Sequence, residues 1–289
     1  MTDDRATTEQ PADQRSADNV TTMMLRRLAD HCRLYIGLSY LGLICLLWGA
    51  LAIVLNPVLP ARFGRPLGRR AAANGFTSYL IFLRLIGACR FDLSELDALR
   101  NDREGLILAP NHPSLLDAVM VLSKFRNVAC IMKSTLMDNL FLGGGARLAG
   151  YIRNEPPLRM IRQAVQELRG GSHLLIFPEG TRTVCPPLNR CRSSIGLIAA
   201  RAGAPVQTLL IEADSQFLGK GWPLFRCPAE WPVTYRIRLG KRFAPPADAA
   251  HFNGELERYF AAALAGADAQ PEAPRAPPVH EFRERAPYA

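Results

Sequence analysis

The sequence predicts an α/β protein, with a largely parallel or mixed sheet flanked by helices and an N-terminal membrane-anchoring helix or helical hairpin. Three observations carry this expectation. Between about residues 91 and 265, short apolar runs of strand length alternate with helix-patterned stretches, the signature of strands joined by crossover helices. From Leu34 to Ala61 there is no charged residue at all. Two compact motifs, around His112 and around Glu179, each follow a predicted strand, where open α/β sheets present ligand sites. At 289 residues, 48% hydrophobic and 21% charged, the chain is neither wholly disordered nor collagen-like nor a disulfide scaffold. A mean hydropathy of +0.01 is high for a soluble protein and low for a polytopic one, so the apolar excess should be local.

Residues 1–21 are polar, with almost no large apolar side chain, and read as an unstructured tail. Residues 22–90 read as the membrane-anchoring unit. Within it Leu34–Leu55 is 22 residues long, roughly 33 Å as a helix, enough to cross or anchor in a bilayer. A buried core helix is the alternative. The long polar lead and the lack of a small-x-small cleavage site argue against a signal peptide. Arg26, Arg27 and Arg33 precede the run, and Arg62, Arg65, Arg69 and Arg70 follow it, so the flanking charges give a single span no orientation. A second apolar run, Ala71–Cys89, contains one charge, Arg84. Two apolar helices around a Pro/Gly/Arg turn favour, slightly over a true span, a hairpin dipping into one leaflet with both ends cytoplasmic.

The catalytic-type domain is expected over 91–265. Strands are predicted at Gly105–Ala109, Asn127–Met132, Ser172–Phe177, Pro205–Ile211 and Val233–Leu239. Helices are predicted at 115–124, 134–148, 157–169, 192–202 and 253–264. The glycine run Gly143–Gly145 reads as a helix break near the membrane or an acyl path. Residues 266–289 contain five prolines and read as a disordered tail.

The chain carries 35 Lys and Arg against 26 Asp and Glu, for a net charge of +9. Only Lys124, Lys133, Lys220 and Lys241 are lysine, an arginine bias that a GC-rich genome also produces. Both ends are nearly neutral, so the positive excess lies between them and points to phosphate ligands or an anionic membrane surface. The apolar neighbours of the basic stretch near 62–84 favour lipid over nucleic acid, and no nucleic-acid partner is assigned. Seven cysteines without a C-x-x-C pair read as reduced thiols facing the cytosol. No metal ligand set is assigned, since Cys185 and Cys191 have no histidine at ligand spacing. The absence of a Walker motif argues against ATP chemistry.

The first motif is Ala109-Pro110-Asn111-His112-Pro113-Ser114-Leu115-Leu116-Asp117. Pro113 suits the first helical position, and Asp117 then stands about one turn into the helix, able to reach back to the imidazole. A carboxylate there would fix the tautomer of His112 and leave its other nitrogen free as a general base. A capping histidine beside a helix-terminal carboxylate gives the same spacing. The second motif is Phe177-Pro178-Glu179-Gly180-Thr181-Arg182. Gly180 permits a sharp turn, and its backbone amides with Thr181 and the fork of Arg182 would make a phosphate site. A plain ion pair between Glu179 and Arg182 is the alternative.

Together these residues resemble the PlsC-like glycerolipid (lysophospholipid) acyltransferase family. His112 and Asp117 match its first motif, and Phe177–Arg182 matches its F-P-E-G-T-R motif. Gly150-Tyr151-Ile152-Arg153-Asn154 is similar to its intervening motif, Lys133 falls where the family often has a lysine, and Gly203–Thr208 is similar to the fourth motif. The resemblance covers about residues 34–245. It implies transfer of a fatty acyl group from acyl-CoA or acyl carrier protein (acyl-ACP) to a lysolipid hydroxyl, in the first place that of 1-acylglycerol-3-phosphate. It implies His112 as base and Asp117 as its orienter, with Arg153 and Arg182 on the acceptor phosphate. It also implies Lys133, Glu179, Gly180 and Thr181 among the substrate-binding residues. No cofactor and no acyl-enzyme are implied, in keeping with the lack of a G-x-S-x-G elbow. The implied location is the cytoplasmic face of a bacterial inner membrane, with membrane lipids as partners.

Two departures from the family pattern bear on the acceptor. Gln207 and Thr208 stand where a second proline is usual, and Thr135 precedes Leu136 where a glutamate is common. They leave room for lyso-ornithine, another aminolipid or a specialised acyl product as acceptor. A non-catalytic lipid-binding protein with the same fold is the rival from another class.

Overall fold

The computed structural model describes residues 12–102 and 104–267. The expected Pro-rich tail lies, from 268 on, outside the described residues, as do residues 1–11 of the expected N-terminal tail. The first helix nevertheless starts at Ala12, well inside the segment read as unstructured.

Two helices lead the chain, α1 (Ala12–Val58) and α2 (Ala61–Leu85). After β1 (Cys89–Asp92) and a 3-10 turn at Ser94–Leu99 come β2 (Ile107–Pro110), α3 (Asp117–Lys124) and β3 (Val128–Met132). Next are α4 (Ser134–Met137), α5 (Gly143–Leu148), β4 (Ile152–Arg153) and α6 (Pro157–Arg169). The chain continues through β5 (His173–Leu175), α7 (Ser194–Ala202), β6 (Val206–Ala213), β7 (Val233–Phe243) and α8 (Ala249–Ala267).

The seven strands form one mixed sheet in the order β1-β7-β6-β2-β5-β3-β4. All neighbours are parallel except β6 and β7, which run antiparallel. Strand β2 lies between β5 and β6 and is buried on both faces, which is why it reads as an unbroken apolar run. Successive side chains leave a strand on opposite faces. Leu106 and Leu108 therefore join Met120, Phe125, Leu83 and Tyr235 on one side. Ile107 and Ala109 join Ile161, Ile195 and Phe260 on the other. Helices α2 and α3 cover the first face and α6, α7 and α8 the second.

The expected turn around 62–70 is not a turn. Leu59 and Pro60 alone separate α1 from α2, and Arg62, Arg65, Arg69 and Arg70 are helical. Helix α2 packs one face on the domain through Gly64, Gly68, Arg69, Ala73, Tyr79, Leu80 and Leu83, while Phe63, Leu67, Ile81 and Leu85 stand exposed. The buried guanidinium of Arg69 donates to Ala149 O, Asn127 Oδ1, Ser172 Oγ and Glu167 Oε2 at 2.7–3.0 Å. Since its donors are matched, the buried charge is tolerated and ties α2 to the sheet. Helix α1 differs. It is long and apolar enough to cross a membrane, and Leu43, Leu47, Leu51, Ile53 and Val54 stand exposed along it.

The predicted 134–148 helix breaks into α4 and α5. Between them Asn139 accepts the Phe141 amide at 2.8 Å, a local side-chain bond that competes with helix continuation. The glycine run is not the break itself but the first turn of α5, where α1 crosses. A Cβ on Gly144 would sit 2.4 Å from the Gly49 carbonyl oxygen, so only glycine allows this backbone-to-backbone approach.

Candidate active site

Asn111, buried just past β2, extends the pairing of that strand with β6 by side chain. Its amide donates to Ile211 O at 2.9 Å and its carbonyl accepts Ile211 N–H at 2.7 Å. The chain then turns outward at His112. The backbone of His112 is held on both sides by the second motif, donating to Glu179 Oε1 at 2.9 Å and accepting Thr183 N–H at 2.7 Å. Its ring lies stacked on Phe177, with centroids 3.8 Å apart and planes 20° from parallel.

His112 Nδ1 meets Asp117 Oδ2 at 2.8 Å. A carboxylate only accepts, so Nδ1 carries the proton and Nε2 is the basic nitrogen. Nε2 makes no hydrogen bond among the described residues. Asp117 opens α3 and is completely buried. The same Oδ2 accepts the Ser114 amide at 2.8 Å, while Oδ1 is buried with no partner. Burial pushes the Asp117 carboxyl up to about 6, and its bonds from His112 and Ser114 restrain the rise. The pair is thus formed as expected, with Ser114 as an addition that sequence reasoning did not supply.

The second motif leaves β5, the parallel neighbour of β2, so both motifs share one edge of the sheet. Glu179, expected among the substrate-binding residues, has its carboxylate engaged by the protein itself. It is buried, and its oxygens accept His112 N–H, Thr183 Oγ1–H and Asn189 N–H at 2.8–2.9 Å. Nor is it paired with Arg182, whose Nη1 donates at 2.8 Å to both Leu218 O and Gly219 O. Gly180 has a φ of +68°, and a Cβ there would lie 2.7 Å from Arg192 Nε, so the motif's glycine is required for the turn and for the close approach of Arg192.

Lys133, after β3, and Arg153, in β4, stand along the same sheet edge but farther from β2. Lys133 is exposed, and its ammonium makes no bond among the described residues. Arg153 is forked onto Asp138, with Nη1 to Oδ2 at 2.9 Å and Nη2 to Oδ1 at 2.6 Å. That guanidinium holds the Asp138 carboxyl below its ordinary value. The structure therefore joins His112, Asp117 and the F-P-E-G-T-R loop directly, and leaves Arg153 engaged elsewhere.

A third wall was not legible in the sequence. The segment 214–232 between β6 and β7 packs over both motifs. Leu218 O accepts Leu115 N–H at 3.0 Å, and Phe217 O accepts Ser114 Oγ–H at 3.2 Å. Leu218 takes a φ of +59°, unusual for a branched residue, where these bonds converge. A narrow apolar cleft opens beside this joint, lined by Leu34 and Leu38 of α1, Leu83 of α2, and Leu116, Leu218 and Trp231.

Residues 90–212 match the family model described as Acyltransferase. The chain is 24% identical over 221 residues to the 1-acyl-sn-glycerol-3-phosphate acyltransferase of Pseudomonas aeruginosa, covering 74% of this chain and 79% of that one. It is 30% identical over 152 residues to the lyso-ornithine lipid O-acyltransferase of Rhodobacter capsulatus, covering 49% of this chain and 54% of that one. In fold it is similar to the crystal structure of the 1-acyl-sn-glycerophosphate acyltransferase PlsC from Thermotoga maritima. That likeness has a TM-score of 0.56 at 18% identity, and covers 86% of this chain and 99% of that one.

Proposed function

We propose, for a chain that belongs to the PlsC-like acyltransferases, that it moves a fatty acyl group from a thioester donor to the hydroxyl of a lysolipid at a membrane surface, with His112 as general base. The observation that carries this reading is the His112–Asp117 bond of 2.8 Å, with Nε2 left unbonded among the described residues at the joint of the two motifs.

His112 Nε2 takes the proton of the acceptor hydroxyl as its oxygen attacks the thioester carbonyl. The tetrahedral intermediate collapses by breaking the C–S bond, and the leaving thiolate takes the proton back from the imidazolium. Asp117 holds the ring through Nδ1–H and stabilises the transient imidazolium. The phosphopantetheine thiol of CoA or of an acyl carrier protein is the donor class this chemistry needs. The apolar residues that line the cleft between α1, α2 and Leu218 support an acyl chain approaching from this side. Helix α1, with its exposed leucines, supports attachment to the bilayer that holds the acceptor, at the cytoplasmic face of a bacterial inner membrane where such thioesters are made.

The preferred acceptor is 1-acylglycerol-3-phosphate, supported by the relative of that name and by the cations around the F-P-E-G-T-R loop. The second reading, a lyso-ornithine-type acceptor, is supported by the Rhodobacter relative and by the engagement of Arg153 with Asp138, which leaves one expected phosphate ligand occupied. Thiol release from acyl-CoA and acyl-ACP, measured against 1-acylglycerol-3-phosphate, other lysophospholipids and lyso-ornithine lipid, decides between them. Release with none of these acceptors would overturn the reading.

A further inference from the structure

The cations expected to hold an acceptor phosphate are partly spent. Arg153 is forked onto Asp138, and one amino group of Arg182 is fixed on the carbonyls of Leu218 and Gly219. The same Leu218–Gly219 segment carries the next residue, Lys220, to the site. Gly219 lies so close to the residue after His112 that a Cβ on it would be 3.4 Å from Pro113 O. Lys220 Nζ donates to Thr181 Oγ1 at 3.2 Å, inside the F-P-E-G-T-R loop, and no carboxylate lies within ion-pair distance of it among the described residues. An ammonium has three donors, so two remain open. In a chain that writes 31 of its 35 cations as arginine, a lysine at this joint runs against the composition.

We propose that Lys220 binds a substrate phosphate beside His112, making the 214–232 segment part of the binding site. The phosphate is the acceptor's. On a glycerol backbone it is tethered a few bonds from the hydroxyl that His112 deprotonates, so its cations must stand next to that histidine. The phosphates of a CoA-type donor lie a pantetheine arm away from the thioester. The proposal rests on the acyl-transfer reading, and direct binding separates the two.

The test uses the full chain in mixed micelles. Binding of 1-acylglycerol-3-phosphate and of the matching phosphate-free 1-acylglycerol is titrated to wild type, Lys220→Gln and Lys220→Arg, and KM and kcat are measured for acceptor and donor. Lys220→Gln is expected to weaken binding of the phosphate-bearing lipid, and to raise its KM, by about tenfold, with the change falling on KM rather than kcat. Lys220→Arg should recover to within about threefold, since the charge is kept. Unchanged binding and KM overturn the proposal. Equal losses of kcat with both lipids overturn it as well, and would mark Lys220 as a latch between loops. A rise confined to the donor KM overturns the assignment to the acceptor. If wild type binds the phosphate-bearing lipid in a Lys220-dependent way but releases no thiol, the acyl-transfer reading fails while the Lys220 site stands.

Discussion

Glu179 Oε1 accepts the backbone N–H of His112 at 2.9 Å, across 67 residues of chain. The carboxylate of the second motif thus sets the position of His112 in the first. Its other oxygen accepts the Asn189 amide, so both oxygens face backbone donors. Glutamine cannot reproduce this, because its NH2 group would meet one of those N–H groups. Glu179→Gln is expected to lower stability by about 1–3 kcal/mol and to lower kcat with little change in acceptor KM. Urea unfolding alongside steady-state kinetics checks it. A raised KM at constant kcat would mean that Glu179 touches substrate.

Asp117 gives a pH dependence with opposite signs for stability and activity. Its carboxyl is raised by burial from an ordinary 3.8 to about 6. Between those values the folded state keeps the proton and the unfolded chain has lost it. The stability contribution is therefore full below pH about 4 and is lost as the pH rises through about 6. With His112 as the proposed base, activity requires the ionised carboxylate on His112 Nδ1–H and is expected to rise through the same range. Asp117→Asn is expected to flatten the stability slope between pH about 4 and 6 while cutting kcat by about a hundredfold or more. Urea titrations at several pH values would refute this if the slope is the same in both proteins.

Arg153 has two of its five N–H donors on Asp138, its partner at 2.6 Å, and that carboxylate competes with an acceptor phosphate for the same charge. Both side chains are exposed, so the pair is weak and exchangeable. Asp138→Ala is expected to lower the KM for 1-acylglycerol-3-phosphate by about threefold, and Arg153→Ala placed on top of it to remove the gain. An Asp138→Ala enzyme with unchanged KM would take Arg153 out of the acceptor site.

What was legible in the sequence follows from the range of the forces involved. Helix α6 spans the predicted 157–169, and the five predicted strands are all present, because apolar runs bounded by glycine and proline are local signals. Strands β1, with Arg90 and Asp92, and β4, only two residues long, carry too little apolar pattern to be seen. The burial of Arg69 in α2 was not readable, because its partner Glu167 is 98 residues away. The same holds within the site. The His112–Asp117 pair is a spacing and was readable. The true partners of Glu179 and the arrival of Lys220 at Thr181 depend on long-range packing of loops, which no local motif encodes.

The central claim is that His112 is the base of an acyl transfer. Thioester-dependent acylation by purified His112→Ala, with the lysolipid that wild type uses best, tests it most directly. The expected result is a rate at least about a hundredfold below wild type, with the variant still partitioning into membranes through α1. A variant that retains most of the wild-type rate would contradict the claim and remove His112 from the chemistry.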